Sequence, residues 1–477
     1  MTAVLEGLAV NPAAPVGLLL RLLEPEYEAA WSALCRERRE MPGPVVDAIV
    51  EHPERRVRAA FVRNPHVDGE IRGLLVDDPD WFVRCALAGR PVQDWTPRYL
   101  PDWVIDRMYT TYDNDGLGEL TASRQVPSRV LIEHATHPMA GLRSNAVSMW
   151  PSLSEERKAA LLADPHPAVR KSAERRVAWD DADETDRQLR ELPSHPNHAR
   201  NHLLVNCRLS RAVVEDLLDN YEGDGHWVLA YNYSTPPDIV ARMAEDPDPK
   251  VRREVACREE LDRALVELLA GDPDPDVRTA VSVRPELTEA ERAAIDHVVS
   301  TDKDFGPFPD HHRAPLAYAR SAHPLLRRRV AYNRNLPADL VELLSGDDDL
   351  GVRVLLAQNH PEAPPELLLR CYLEYEGKER DLLTENPRFP GAGLAARFAD
   401  ADDPALRRLA TLDPGLAPAV ADRLTRDPDP AIRAAAARHP RLPLDRLLAL
   451  LDDEAAARDA ASNPALPRPV MYELLKT

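Results

Sequence analysis

The sequence predicts an all-α protein built as an α-solenoid, a stack of short two-helix repeats. Three observations carry that expectation: a phrase that recurs along the whole chain, proline at helix-start positions about twice per recurrence, and no alternating apolar run long enough for a strand. The phrase is clearest in Asp246 to Val255 (DPDPKVRREV), Asp272 to Val281 (DPDPDVRTAV), Asp427 to Ala436 (DPDPAIRAAA) and Asp164 to Ala173 (DPHPAVRKSA). Its arginine falls at Arg58, Arg84, Arg143, Arg170, Arg200, Arg252, Arg278, Arg327, Arg353, Arg380, Arg407 and Arg433, with His226 in the slot midway between Arg200 and Arg252. Steps such as 84−58, 278−252 and 433−407 are 26 residues. At ~26 residues per unit, 477 residues hold about 18 units.

The first helix of a unit is exemplified by Asp248, a natural N-cap, followed by Pro249 at the first helical position, where a missing N–H costs nothing. Val251, Val255 and Ala256 then form one apolar stripe. The second helix is exemplified by Asn333 to Leu344 (NRNLPADLVELL), where Pro337 opens a helix with Leu340, Val341 and Leu344 facing inward. Helices this short bury their faces only by stacking on the units before and after. The expected organisation is one continuous solenoid: repeats over 1–94, an irregular aromatic-rich insertion over 95–122, central repeats over 123–298, a Pro/Gly-containing break over 299–322, and repeats over 323–477.

Composition narrows the function classes. With 60 Lys+Arg against 80 Asp+Glu, the formal charge of −20 opposes nucleic-acid binding over the whole surface, though not in a local basic groove. Cys35, Cys85, Cys207, Cys257 and Cys371 are far apart and form no C-x-x-C pair, so buried reduced thiols are expected, not a disulfide or zinc framework. No apolar run reaches membrane-spanning length and the first ten residues lack a basic region, which together predict a soluble, cytoplasmic protein. The Arg, Ala and Pro bias matches a GC-rich bacterial genome.

The phrase D-P-D-x-x-V-R-x-x-V-A-x-N-P-x-L-P-x-x-L-L-x-x-L, matched by Asp246 to Ala256, Val352 to Leu369 and Ile432 to Leu448, resembles the leucine-rich repeat variant (LRV) family, akin to HEAT-like repeats. The short period favours LRV, where one of the two helices is typically a tight 3₁₀ turn. That resemblance implies a right-handed superhelix and an interaction role. Some LRV proteins carry an N-terminal cysteine cluster for an iron–sulfur centre; this chain has none near its start, so no cofactor is carried over.

Candidate sites follow. An aspartate precedes the recurring arginine by six residues in Asp78/Arg84, Asp164/Arg170, Asp246/Arg252, Asp272/Arg278, Asp347/Arg353 and Asp427/Arg433, a pattern that suits a structural ladder joining loops of adjacent units. A phosphate-binding arginine row is the competing reading. Asn11, Asn64, Asn206, Asn232, Asn333, Asn359, Asn386 and Asn463 sit at or near prolines and read as turn-forming residues, with a peptide-clamping row as the alternative. Aromatics gather where the repeat is interrupted, and Trp227, Tyr231, Tyr233, Trp103 and Tyr109 are the expected partner contacts. Asp113 to Glu119 (DNDGLGE) has part of a calcium loop, but Ala122 stands where the last ligand belongs. Asp310, His311 and His312, with Asp302 or Asp304, are the only residues near metal-ligand grouping, and adjacent histidines diverge, so no metal is expected. No nucleotide-binding or hydrolase motif is present. The expected function is a non-enzymatic scaffold for a protein or peptide on its concave face. The alternative is a HEAT-like nucleic-acid-binding protein or DNA alkyl-base glycosylase using Trp227 with Asp224, or Trp103 with Asp106.

Overall fold

A computed structural model describes residues 1–89, 100–112, 117, 119–120, 123, 126, 128–193, 195, 197–220, 226–300, 314–377 and 379–476. All regular elements among the described residues are helices, most of them short and repeated. None is long and apolar enough to cross a membrane.

The recurring phrase explains where first helices start. Asp248, Asp274 and Asp429 each accept a hydrogen bond from the backbone N–H two residues on, and Pro249, Pro275 or Pro430 supplies the pre-set first position. His323 caps Pro324–Ala331 with its ring in the same way. Second helices start behind an extended proline, as Pro337 does for Ala338–Ser345 and Pro443 for Leu444–Leu451. These helices are too short to persist alone, so packing must hold them. Pro249–Ala256 lies on Pro275–Ser282, Pro324–Ala331 on Leu350–Asn359, and Arg55–Val62 on Trp81–Ala88. The buried stripes, such as Val251, Val255 and Ala256, are the ones the spacing predicts.

The chain divides into two compact units, one of Met1–Ala173 with Gly391–Thr477, the other of Glu174–Pro390. In the first, the two ends of the sequence meet. Thr2–Val10 packs on Ala457–Ala461 as closely as any neighbouring repeats, and Gly7 sits so near the Arg458 carbonyl and the Ala461 side chain that an added Cβ would collide with both. Val4, Leu5, Leu8, Ala457, Ala460, Ala461 and Met471 share one apolar core.

Two of the expected interruptions keep a helix. Asp102–Thr111, inside the aromatic-rich insertion, buries Val104, Ile105, Met108 and Tyr109. His226–Tyr231 buries Val228, Leu229 and Ala230. In the 299–322 break, the described part includes a 3₁₀ turn at Leu316–Arg320.

Candidate functional site

Two polar ladders run through the stack and commit most of the recurring polar residues. Arg252 donates from Nε and one terminal nitrogen to both carboxylate oxygens of Asp272 (2.8 and 2.9 Å), and from the other nitrogen to the Asp246 carbonyl (2.7 Å). The aspartate six residues upstream therefore offers its backbone, while the carboxylate comes from the next repeat, 20 residues on. Arg58–Asp78, Arg143–Asp164, Arg327–Asp347 and Arg407–Asp427 repeat this geometry. Arg84, Arg170 and Arg433 bond the carbonyls of Asp78, Asp164 and Asp427. Variants appear too: Arg278 reaches Asp296, Arg353 reaches Glu374, and His226 contacts Asp246 at 3.0 Å. The Arg143 bond holds the Asp164 carboxyl below the usual range despite its burial, and Arg407 does the same for Asp427.

The second ladder lies at the turns after the first helices. Asn11 Nδ2 donates to Ala461 and Asn463 carbonyls (2.8 and 2.7 Å), while its Oδ1 accepts from Ala13 N–H within its own turn. Asn463 bonds Ala437 and His439, Asn64 bonds Cys35 and Arg38, and Asn232 bonds Leu204 and Cys207. Arg38, Arg258, Arg284 and His439 take the same place with other donors. These four asparagines are fully buried, which removes them from any peptide-clamping role. Asn206 and Asn359 are corrections: each lies one residue before the slot and bonds its own helix, at the His202 and Leu355 carbonyls.

The aromatic candidates separate. Tyr109 is fully buried and packs edge-on against His134, 4.7 Å between ring centres, so it cannot be a contact residue. Trp103 is exposed and donates its indole N–H to Glu70 (2.7 Å). Tyr233 is exposed and donates its hydroxyl to Asp180 (2.6 Å). Trp227 and Tyr231, 39% and 58% exposed, stand four apart on a helix whose other side is core. Trp227 borders a hollow of about 550 Å³ with Asp246, Asp248, Lys250, Arg253 and Glu254.

One buried Ser–His contact is set the wrong way for nucleophilic catalysis. Ser282 Oγ lies 2.8 Å from His323 Nε2, but His323 Nδ1 accepts from Leu325 N–H and Ser282 donates to the Thr279 carbonyl. The ring nitrogen facing the serine therefore carries the proton, the wrong tautomer for a base. Burial, with His297 adding repulsion, pushes His323 down to about 3. Among the described residues no group of three His, Cys, Asp or Glu could hold a metal. Asp302, Asp304, Asp310, His311, His312, Asp113 and Asp224 lie outside the described residues.

One concavity was not anticipated. About 920 Å³ in volume, it is bordered by Arg36, Arg38, Arg39, Arg63, Arg438 and Arg458 with Glu37, Glu40 and Asp459, drawn from both ends of the sequence. Each arginine alone looks like an ordinary residue near a helix end, so only the packing reveals the group.

Compared with protein-family models and with curated proteins, the chain matches none.

Proposed function

We propose that the chain is a non-enzymatic repeat scaffold that holds a protein or peptide partner. The phrase resembling the LRV family supports a solenoid of about 18 such repeats, with that family's right-handed superhelical sense within each stack. The observation that carries the interaction role is the exposed Trp227–Tyr231 pair. Its helix is anchored by Val228, Leu229 and Ala230, so nothing in the core requires the two aromatics outside. Around Trp227, charges of both signs form a polar rim, the composition expected around an interface anchor.

The test is affinity capture from the native host with the full chain and with Trp227→Ala. Binding is expected to weaken more than about tenfold, roughly 1.4 kcal/mol, with the circular dichroism and melting curve unchanged. Absence of a stoichiometric partner at mild salt, or unaltered binding by the variant, overturns the reading. A nucleic-acid role has weaker support, because the recurring arginines at 58, 143, 252, 327 and 407 are committed to aspartates of neighbouring repeats.

A further inference from the structure

We propose that the arginine-lined concavity where the two ends of the sequence meet binds a small polyphosphate anion carrying two or more phosphoryl groups. The site is independent of the Trp227 surface. Its positive groups come from two helix ends of the early repeats and two of the late ones. The π-helical turn Ala33–Glu37 projects Arg36, and the extended backbone after it at Arg38 leads on to Arg39. Arg63 follows Arg55–Val62, Arg438 follows Pro430–Ala437, and Arg458 lies on Ala457–Ala461.

The arrangement is electrostatically incomplete without an anion. Six arginines face three carboxylates on a chain whose total charge is −20. Of those carboxylates, Glu37 is bound to Arg458 at 2.6 Å, and Arg458 also meets Glu6 at 3.2 Å. Asp459 lies 3.5 Å from Arg438, and burial holds its carboxyl above the usual range. Arg38 is buried, and its guanidinium donates to the carbonyls of Ala9, Asn11 and Glu40. Arg36 and Arg39 are exposed and make no hydrogen bond or ion pair with any described residue. Arg63, 5.0 Å from the centre of the Phe82 ring, is depressed below the ordinary arginine range by burial and by the like charge of Arg36, with Glu119 opposing. Cationic side chains near helix C-termini gain something from the helix dipole. That gain does not account for Arg36 and Arg39 converging on one hollow.

The ligand class follows from the lining. Pro12, Pro65 and Pro464 have no N–H to donate, and Ser32, Ser462 and His66 add polar groups beside the six guanidinium forks, which match the oxygens of phosphate. No Trp, Tyr or Phe lines the concavity, and its one ring is the imidazole of His66, so the lining favours phosphoryl groups over a nucleobase. The volume of about 920 Å³ accommodates several phosphoryl groups. An anion held there would bond arginines from both ends of the sequence and fasten them together.

The test is isothermal titration of the full chain with sodium tripolyphosphate at low salt, beside citrate, ATP and a short DNA duplex, with hydrogen exchange as a second readout. Saturable one-to-one tripolyphosphate binding is expected. It should weaken at least tenfold in the Arg36→Ala/Arg39→Ala double variant, which removes no hydrogen bond or ion pair with a described residue. Bound tripolyphosphate should slow exchange in residues 2–10 and 457–463. The proposal is overturned by absence of saturable binding, by binding that the double variant leaves intact, or by citrate or duplex DNA binding more tightly at the same arginines. ATP binding more tightly than tripolyphosphate would overturn the exclusion of a base.

Discussion

Arg252 divides its guanidinium between two repeats, and that division sets what its removal does. With Asp272 almost fully buried beside it, Arg252→Ala leaves a carboxylate without its partner, at an expected cost of about 2–3 kcal/mol. Arg278 meets Asp296, whose side chain is 91% exposed, so Arg278→Ala is expected to cost less, about 1 kcal/mol. Equal losses in denaturant melts of the two variants would refute the ladder as the source of the difference. A second residue-scale outcome concerns acid. His134 is buried with neither ring nitrogen hydrogen-bonded, and burial, then His137, hold it down to about 4. The unfolded chain takes up that proton near pH 6.5, so between about 6.5 and 4 the unfolded state binds more protons and stability falls as pH falls. The loss expected from His134 is on the order of 2–3 kcal/mol over that window; His134→Phe should remove this share and leave that of His323, which burial holds down to about 3. Asp164 and Asp427, depressed by their arginines, contribute stability above about pH 3.9 that is lost only at lower pH, as it falls through their folded values. Melting temperature against pH should therefore decline in two stages; the same decline from pH 7 to 4 in His134→Phe as in the parent would remove His134 from the account.

Among the elements, Thr2–Val10 and Ala457–Ala461 form the most informative pair. Asn11 bonds Asn463 as Asn463 bonds His439, so the ladder passes through the two ends of the sequence without a change of geometry. Gly7→Val is expected to force these helices apart, and Asn11→Ala to cost about 1–3 kcal/mol. Both should raise hydrogen exchange in residues 2–10 and 457–463 while leaving Pro249–Ala256 protected. Uniform loss of protection across the chain would mean that the junction is not a local element. The elements themselves were legible in the sequence, because Asp-Pro caps such as Asp248-Pro249 and stripes such as Val251/Val255 are local signals. The ladder was half legible. The fixed spacing of Asp246 and Arg252 pointed to pairing, but the carboxylate that Arg252 grips belongs to the next repeat, and only stacking brings it there. The arginine concavity was not legible at all, since nothing in a local window links Arg36 to Arg438. Tyr109 misled because an aromatic at an interruption looks the same whether it faces out or fills the core.

At the largest scale, within the first unit, the packing of Thr2–Val10 on Ala457–Ala461 covers an apolar face that a repeat needs covered. A terminal repeat ordinarily carries a polar outer face; here Leu5 and Leu8 are covered by the repeat containing Ala460 and Met471. Deleting residues 457–476 is expected to expose that face, measured as new binding of a hydrophobic dye and as lost protection over residues 2–62. An unchanged exchange pattern would show that the early repeats stand without their cover. The same feature has a temporal side. Asn11 and Ala461 are 450 residues apart in sequence, and a ribosome adds about 5–20 residues per second. The early repeats thus leave the ribosome roughly 20–90 seconds before the segment that shields them exists. During that interval their apolar face is open to chaperones and to other nascent chains. A product truncated before residue 457 would remain in that state permanently, marked for degradation by the repeat it lacks.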